Sequence, residues 1–120
     1  MKIFNILSAS LSLFAISPSF ACLHTYGEVH SDTEERHWTV VWAGATDNGL
    51  DVCDTAWGNA RIDQDGHFSI PCLPGYVYAF TEDGLTAWYS NGINAFRFAQ
   101  SPSSPEGGYD WTWQTYNFGC

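Results

Sequence analysis

Apolar and polar residues alternate with a period of two over several short stretches of the chain, the pattern of half-buried β-strands. The clearest stretch is 37–43 (HWTVVWA), in which Trp38, Val40 and Trp42 share one face. Residues 50–57 fit either a strand or one helical turn, and no stretch has the apolar spacing of an amphipathic helix. The remaining strand candidates are 23–30, 59–70 as two short segments, 75–80, 86–89, 94–99 and 110–118.

Turn-forming residues separate these stretches, notably Asp47-Asn48-Gly49, Asp65-Gly66 and Ser90-Asn91-Gly92. Short strands joined by such turns are typical of antiparallel sandwiches and barrels. We therefore predict a mainly β fold, a small disulfide-stapled antiparallel β-sandwich or barrel. We expect Trp38 and Trp42 to lie in its core.

Residues 1–21 have the organisation of a secretory signal peptide. Lys2 precedes an apolar stretch over 3–16, and Ser19 and Ala21 are the small residues of a cleavage site. The apolar stretch is too short and too interrupted to span a bilayer. We expect cleavage after Ala21, which leaves 22–120 as a single secreted β domain. Phe20 does not fit a lipidation motif, so we assign Cys22 to a disulfide.

The chain has four cysteines, Cys22, Cys53, Cys72 and Cys120. A domain of about 100 residues benefits from cross-links, and an oxidising compartment allows them, so two disulfides are expected. Three pairings are possible. We favour Cys53–Cys72 as a local staple and Cys22–Cys120 as a clasp between the ends, stabilising by ~3 and ~4–5 kcal/mol in the loop-entropy model.

The charge balance of the chain is strongly acidic. Its formal net charge is −9, and because removal of residues 1–21 takes away Lys2, three arginines then face 13 carboxylates, which gives −10. A nucleic-acid or anionic-membrane binder needs cations that this chain lacks, so we predict neither partner. Six tryptophans and six tyrosines make the chain too aromatic to be disordered.

The stretch 61–72 (RIDQDGHFSIPC) contains two aspartates and a glycine, as calcium loops do. An EF-hand register would place Arg61 and Cys72 where carboxylates are required. We interpret Asp65-Gly66 as a hairpin turn, although an oxygen cage of Asp63 and Asp65 with Asp47 or Asp51 remains open. The histidines are too scattered for a zinc motif, so no metal or other cofactor is predicted; they are His24, His30, His37 and His67.

Some residue types of small hydrolases are present, but no sequence motif brings them together. A ribonuclease-like set would use a carboxylate, histidines and an arginine, here Glu28, His37, His67 and Arg36 or Arg97. A glycosidase pair would come from Glu28, Glu34, Glu35, Glu82 and Asp83. We expect a non-catalytic protein, with a small secreted hydrolase as the alternative.

Aromatic residues near the last strand and one turn are the candidate binding residues. Trp111 and Trp113 share one face of the last strand, and exposed aromatics beside Asp, Asn or Gln stack on sugars or anchor protein partners. The alternative for this tryptophan pair is a place in the core. The candidate surface comprises Trp88, Tyr89, Tyr109, Trp111 and Trp113.

Two resemblances add expectations to this interpretation. Residues 62–80 (IDQDGHFSIPCLPGYVYAF) resemble the D-x-D-G-x-F-S-I…L-P-G-Y hairpin of transthyretin-like and carboxypeptidase-regulatory-like β-sandwiches, which transfers no ligand residues. The layout of signal peptide, small lysine-free domain and terminal cysteines is similar to small secreted cysteine-containing effectors of plant-associated filamentous fungi.

The second resemblance implies a secreted protein that interacts with a host, as a virulence factor does. Its partner would be a host protein or a cell-wall glycan, and some members of the group act together with a second secreted effector. We therefore expect an extracellular, effector-like binding protein, with later entry into host cells left open. A carbohydrate-binding module without catalysis is a further alternative.

Overall fold

The computed structural model describes residues 22–32, 37–104 and 107–118. Within them the chain forms nine strands and a single 3-10 turn at Thr55–Trp57. No helix among these residues is long and apolar enough to cross a membrane. The strands are β1 (Leu23–Asp32), β2 (His37–Asp47), β3 (Leu50–Asp54), β4 (Arg61–Ile62), β5 (Phe68–Ser69), β6 (Val77–Phe80), β7 (Thr86–Ser90), β8 (Ala95–Ala99) and β9 (Asp110–Asn117).

The strands form two antiparallel sheets, which confirms the mainly β prediction and its sandwich form. One sheet has four strands in the order β3-β2-β1-β9, and the other has five in the order β4-β5-β6-β7-β8. The five-stranded sheet is a meander of successive hairpins, whereas β9 returns from it to pair with β1. Residues 50–57 contain both elements that the sequence left open, strand β3 and then the 3-10 turn.

The core lies between the two sheets and is largely aromatic. Trp113 of β9 packs edge-to-face on Phe80 of β6, with ring centroids 5.0 Å apart. Phe118 beyond β9 packs in the same way on Phe98 of β8. Val29 of β1 is fully buried and belongs to the same cluster. Edge-to-face contacts of this kind add to the area that each ring buries, so they hold the sheets together.

A buried hydrogen-bond network also connects the sheets. The Gln100 side-chain oxygen accepts hydrogen bonds from the Thr25 hydroxyl (2.8 Å) and the Tyr78 hydroxyl (2.7 Å). The Gln100 amide nitrogen donates to the Gly84 carbonyl (2.8 Å), and the Trp113 indole donates to the Tyr78 hydroxyl (3.1 Å). Because each buried polar group has a partner, the network avoids the cost of unpaired donors and acceptors.

The predicted Cys53–Cys72 disulfide is confirmed, and it joins β3 to the segment between β5 and β6. A backbone bridge connects the same two residues, and the Asp54 N–H donates to the Pro71 carbonyl at 2.9 Å. The predicted Cys22–Cys120 pairing involves Cys120, which lies outside the described residues. The predicted signal peptide, 1–21, lies outside them as well.

The Asp65-Gly66 turn is confirmed as the tip of the β4–β5 hairpin. Gly66 has φ 82, a conformation that suits glycine, and Ile62 pairs with Phe68 across the hairpin. The Asp63 side-chain oxygen accepts hydrogen bonds from the N–H groups of Asp65 and His67, both at 2.9 Å. The Asp63 carboxylate therefore has a structural role in the turn.

The prediction that Trp42 lies in the core is wrong, and a β-bulge is the reason. Glu28 pairs with Trp42 but Val29 pairs with Val40, so Val41 is an extra residue in β2. An extra residue shifts the alternation by one position. Trp38 and Val40 consequently pack against the core as predicted, whereas Trp42 is 40% exposed on the outer face.

Candidate binding surface

The outer face of the four-stranded sheet carries a group of aromatic and polar side chains. Residues of β1 alternate between buried and partly exposed positions, which places His24 and Tyr26 on this face. The bulge places Trp42 there, and pairing of β9 with β1 sets Gln114 opposite Tyr26 and Tyr116 opposite His24. We call these five side chains the aromatic face: His24, Tyr26, Trp42, Gln114 and Tyr116.

A hydrogen bond fixes the orientation of Trp42. Its indole N–H donates to the Glu28 carboxylate at 3.0 Å, across the β1–β2 pair. The Trp42 and Tyr26 rings lie 6.1 Å apart and are tilted by 37°. Since the polar edge of the indole is used by Glu28, its ring faces are left to form the wall of a depression.

Tyr26 lies across β2 because Gly44 has no side chain. A Cβ built at Gly44 would be 2.7 Å from the Tyr26 hydroxyl oxygen, so the phenol ring occupies that space. The ring points towards β3, where Asp54 pairs with Gly44 and Asp51 pairs with Thr46. Burial, and then the negative charges of Asp51 and Asp54, raise the pKa of the Tyr26 hydroxyl above its usual value.

His24 and Tyr116 form the other end of the aromatic face. Their rings stack in parallel with centroids 4.2 Å apart, and His24 also contacts Tyr26 at 5.0 Å. The His24 Nε2 atom is enclosed and has no hydrogen-bond partner among the residues that the structure describes. A pre-organised stack of this kind presents flat apolar surface with little side-chain freedom left to lose on binding.

Two adjoining clefts open on this side of the molecule. The first has a volume of about 390 Å³ and is lined by His24, Tyr26, Trp42, Thr46 and Gln114. The second, about 480 Å³, is lined by Trp42, Ser101, Ser103, Thr112, Trp113 and Gln114. Both lie in the size range of roughly 300–1,000 Å³ that is usual for ligand sites. Trp42 and Gln114 line both clefts and therefore stand at the centre of a longer groove.

The five aromatics selected from the sequence do not form one exposed surface. Trp113 and Tyr89 are core residues, 3% and 2% exposed, and Trp111 is half-buried against the core. The alternative left open for the tryptophan pair, a place in the core, therefore describes Trp113. The other two are separate: Trp88 lies on the outer side of the five-stranded sheet and Tyr109, 54% exposed, precedes β9.

The Tyr89 hydroxyl has a specific structural partner, the carboxylate of Asp47. Its hydrogen bond to this group connects β7 of one sheet with β2 of the other. Burial, followed by this bond, raises the pKa of Tyr89 well above its usual value. Trp88 stacks on His67 instead, with ring centroids 4.4 Å apart.

Ligand atoms of Asp63, Asp65 and His67 lie within 4.8 Å of one another. The N–H of His67, above all, lowers the pKa of the Asp63 carboxyl, because it donates to the charged form. The turn accounts for the position of the Asp63 carboxylate, which accepts the backbone N–H groups of Asp65 and His67. The alternative cage partners are elsewhere, since Asp47 bonds Tyr89 and Asp51 lies beside Tyr26.

Candidate catalytic residues do not form a single group, although His67, Glu82 and Asp83 line one cleft of about 300 Å³. Glu28 lies on the outer face of β1, whereas His67 stacks on Trp88 outside the opposite sheet. His37 is exposed at the start of β2, and Arg97 lies opposite Trp88 on β8. Glu82 and Asp83 form part of the β6–β7 turn. Glu34, Glu35 and Arg36 lie outside the described residues.

Sequence reasoning missed the aromatic face because its members come from three strands that are distant along the chain. The alternation of β1 does indicate that His24, Tyr26 and Glu28 share a side. Trp42 joins them only through the bulge, which the sequence of β2 does not reveal. Compared with known proteins, the chain matches no family model, no curated protein and no solved structure.

Proposed function

We propose that this protein is a secreted, non-catalytic binding domain that acts on a host or environmental partner through its aromatic face. The observation that carries the proposal is the groove centred on Trp42 and Gln114, with exposed rings around it. Tyrosine and tryptophan supply large contact areas at low entropic cost, which is why they dominate binding hot spots. The effector-like layout and the Cys53–Cys72 disulfide support an extracellular setting.

The architecture suits a rigid binding module. The aromatic side chains lie on strands rather than on loops, and the buried network between the sheets holds those strands in place. Side chains held on strands lose little conformational entropy when a partner binds, so the entropic cost of binding is small. The acidic charge of the chain argues against polyanionic partners, which leaves proteins and uncharged or basic glycans.

The test compares two exposed tryptophans. Trp42 is 40% exposed on the aromatic face, and Trp57 is 46% exposed in a separate depression beside Arg61 and Pro71. Immobilised wild type, Trp42→Ala and Trp57→Ala are used to capture partners from host-tissue extract and from a glycan array. We expect Trp57→Ala to capture every partner that the wild-type protein captures specifically. Trp42→Ala is expected to capture none of them.

Retention of the same partners by Trp42→Ala would show that binding occurs elsewhere and would overturn the proposal. Thermal unfolding and the near-ultraviolet circular dichroism of all three proteins control for folding. Trp42 is not part of the core cluster, so its truncation is expected to leave the sandwich intact.

A further inference from the structure

The four-stranded sheet has a one-sided charge distribution. Its strands contain six carboxylates and no lysine or arginine. Leaving aside Asp32 at the far end of β1, four of these carboxylates are on or beside the outer face, and of the four only Asp110 has a salt-bridge partner within the described residues, His30 at 2.8 Å. The four are Glu28, Asp51, Asp54 and Asp110. The described arginines, Arg61 and Arg97, belong to the other sheet.

Three of the carboxylates lie beside aromatic rings that line the first cleft. Glu28 accepts the indole N–H of Trp42, so its charge lies at the edge of that ring. Asp51 and Asp54 are close enough to Tyr26 to raise the pKa of its hydroxyl. The negative face of an aromatic ring attracts cations, and carboxylates at the rim strengthen the attraction. The cleft thus combines two features that select for positive charge.

We propose that the aromatic face binds a basic segment of a partner protein, with a lysine or arginine side chain lying on the exposed surface of Trp42 and Tyr26. This inference rests on the proposed function and specifies its partner class. The aliphatic stem of such a side chain packs along the rings while its charged end reaches Asp51 and Asp54. The adjoining cleft, lined by Ser101, Ser103 and Thr112, accommodates the neighbouring residues of the segment.

Charge complementarity favours this occupant over the other classes. A nucleic acid or an acidic polysaccharide would be repelled by the net charge and by the carboxylates of this face. A neutral glycan would stack on the rings and hydrogen-bond the carboxylates, but it would gain nothing from their net negative charge. Only a cationic ligand uses both features of the cleft. The cleft lies towards the His24–Thr46 end of the β1–β2 pair, away from the Asp32–His37 end.

The experiment measures the affinity of a fluorescent ten-residue peptide in which lysine and arginine alternate with glycine. The comparison peptide has glutamine at every basic position. Wild type is measured beside Trp42→Ala, the pair Asp51→Asn/Asp54→Asn, and two matched controls. The controls are Trp57→Ala and the pair Asp63→Asn/Asp65→Asn. This pair removes an equal number of negative charges from the β4–β5 turn of the opposite sheet.

We expect Trp42→Ala and Asp51→Asn/Asp54→Asn each to weaken binding about tenfold, and each control to change it less than twofold. We also expect weaker binding when salt is raised to about 0.3 M, because the attraction is partly electrostatic. The glutamine peptide is expected not to bind. Folding of each variant is checked by its unfolding curve.

Three results would overturn the inference. Equal weakening by both charge-removal pairs, with Trp42→Ala unaffected, would indicate general attraction to an acidic protein. Equal binding of the two peptides, or no binding of the basic peptide, would show that the aromatic face does not select a basic segment. Salt-independent binding of a neutral oligosaccharide such as chitohexaose, lost in Trp42→Ala, would replace the basic segment with a glycan. That last result would leave the proposed function standing. If Trp42→Ala bound every partner as tightly as the wild type does, both the proposed function and the inference of a basic segment would be wrong.

Discussion

Gly27 in β1 is the position where one added methyl group is expected to do the most damage. A Cβ built there would lie 2.5 Å from Cζ2 and 2.9 Å from Cη2 of Trp113, and 3.0 Å from the Cβ of Ala43. Trp113 is buried and cannot move outward, since its indole packs on Phe80 and donates to Tyr78. Gly27→Ala therefore forces the core to shift.

The expected cost follows from three contributions. Overpacking a core costs about 1–3 kcal/mol. Displacing the Trp113 indole from Tyr78 removes a buried hydrogen bond, which costs about 1 kcal/mol. Alanine is better than glycine in a strand by about 0.5–1 kcal/mol, which offsets part of this. We expect Gly27→Ala to lower the free energy of unfolding by about 1–3.5 kcal/mol, although strand propensity alone predicts a gain.

Denaturant unfolding followed by tryptophan fluorescence measures this change. Gly44→Ala is the matched control, because its Cβ meets only the end of the partly exposed Tyr26 ring, which can swing aside. We expect Gly44→Ala to change stability by less than about 1 kcal/mol. Trp113→Phe lacks the two clashing atoms, so it should partly rescue Gly27→Ala, with a coupling energy of about 0.5–3 kcal/mol. Gly27→Ala as stable as wild type would refute the packing described here.

Two further predictions concern the covalent and titratable parts of the core. Replacing both Cys53 and Cys72 by serine should lower the free energy of unfolding by ~3 kcal/mol in the loop-entropy model, and an unchanged denaturation midpoint would contradict it. Burial raises the pKa of both Tyr78 and Tyr89 above the ordinary value of 10.0. Because the pKa is raised in the folded state, the contribution of these tyrosines to stability is full below pH 10.0 and is lost at higher pH. Tyrosinate absorbance should therefore rise together with unfolding. Ionisation of these two tyrosines in a protein that remains folded would contradict the prediction.

Much of the fold follows from local patterns along the chain. Alternation located β6, with Tyr78 and Phe80 buried and Val77 exposed, although Ala79 on the side of Val77 is buried too. The Asp-Gly and Asn-Gly signals located the turns, and Cys53 and Cys72 were paired correctly. These features depend on neighbouring residues or on turn chemistry, which the sequence carries directly.

The candidate site was harder to predict because alternation assigns residues to a face without saying what covers that face. Trp111 and Trp113 do share a side of β9, but that side meets the five-stranded sheet. Trp42 moved to the exposed side through a single extra residue, Val41, that only strand pairing reveals. Glycine weakens a strand by its own propensity, whereas Gly27 in β1 provides the space that Trp113 fills.

The aromatic face is the proposed binding surface. The most direct test of this proposal follows the indole N–H signals of the six tryptophans in a ¹H–¹⁵N NMR spectrum. The spectrum is recorded with and without a partner captured by the wild-type protein. We predict that the Trp42 signal shifts most, because its N–H lies at the edge of the groove on Glu28. Shifts confined to Trp57 or Trp88, with Trp42 unchanged, would contradict the proposal.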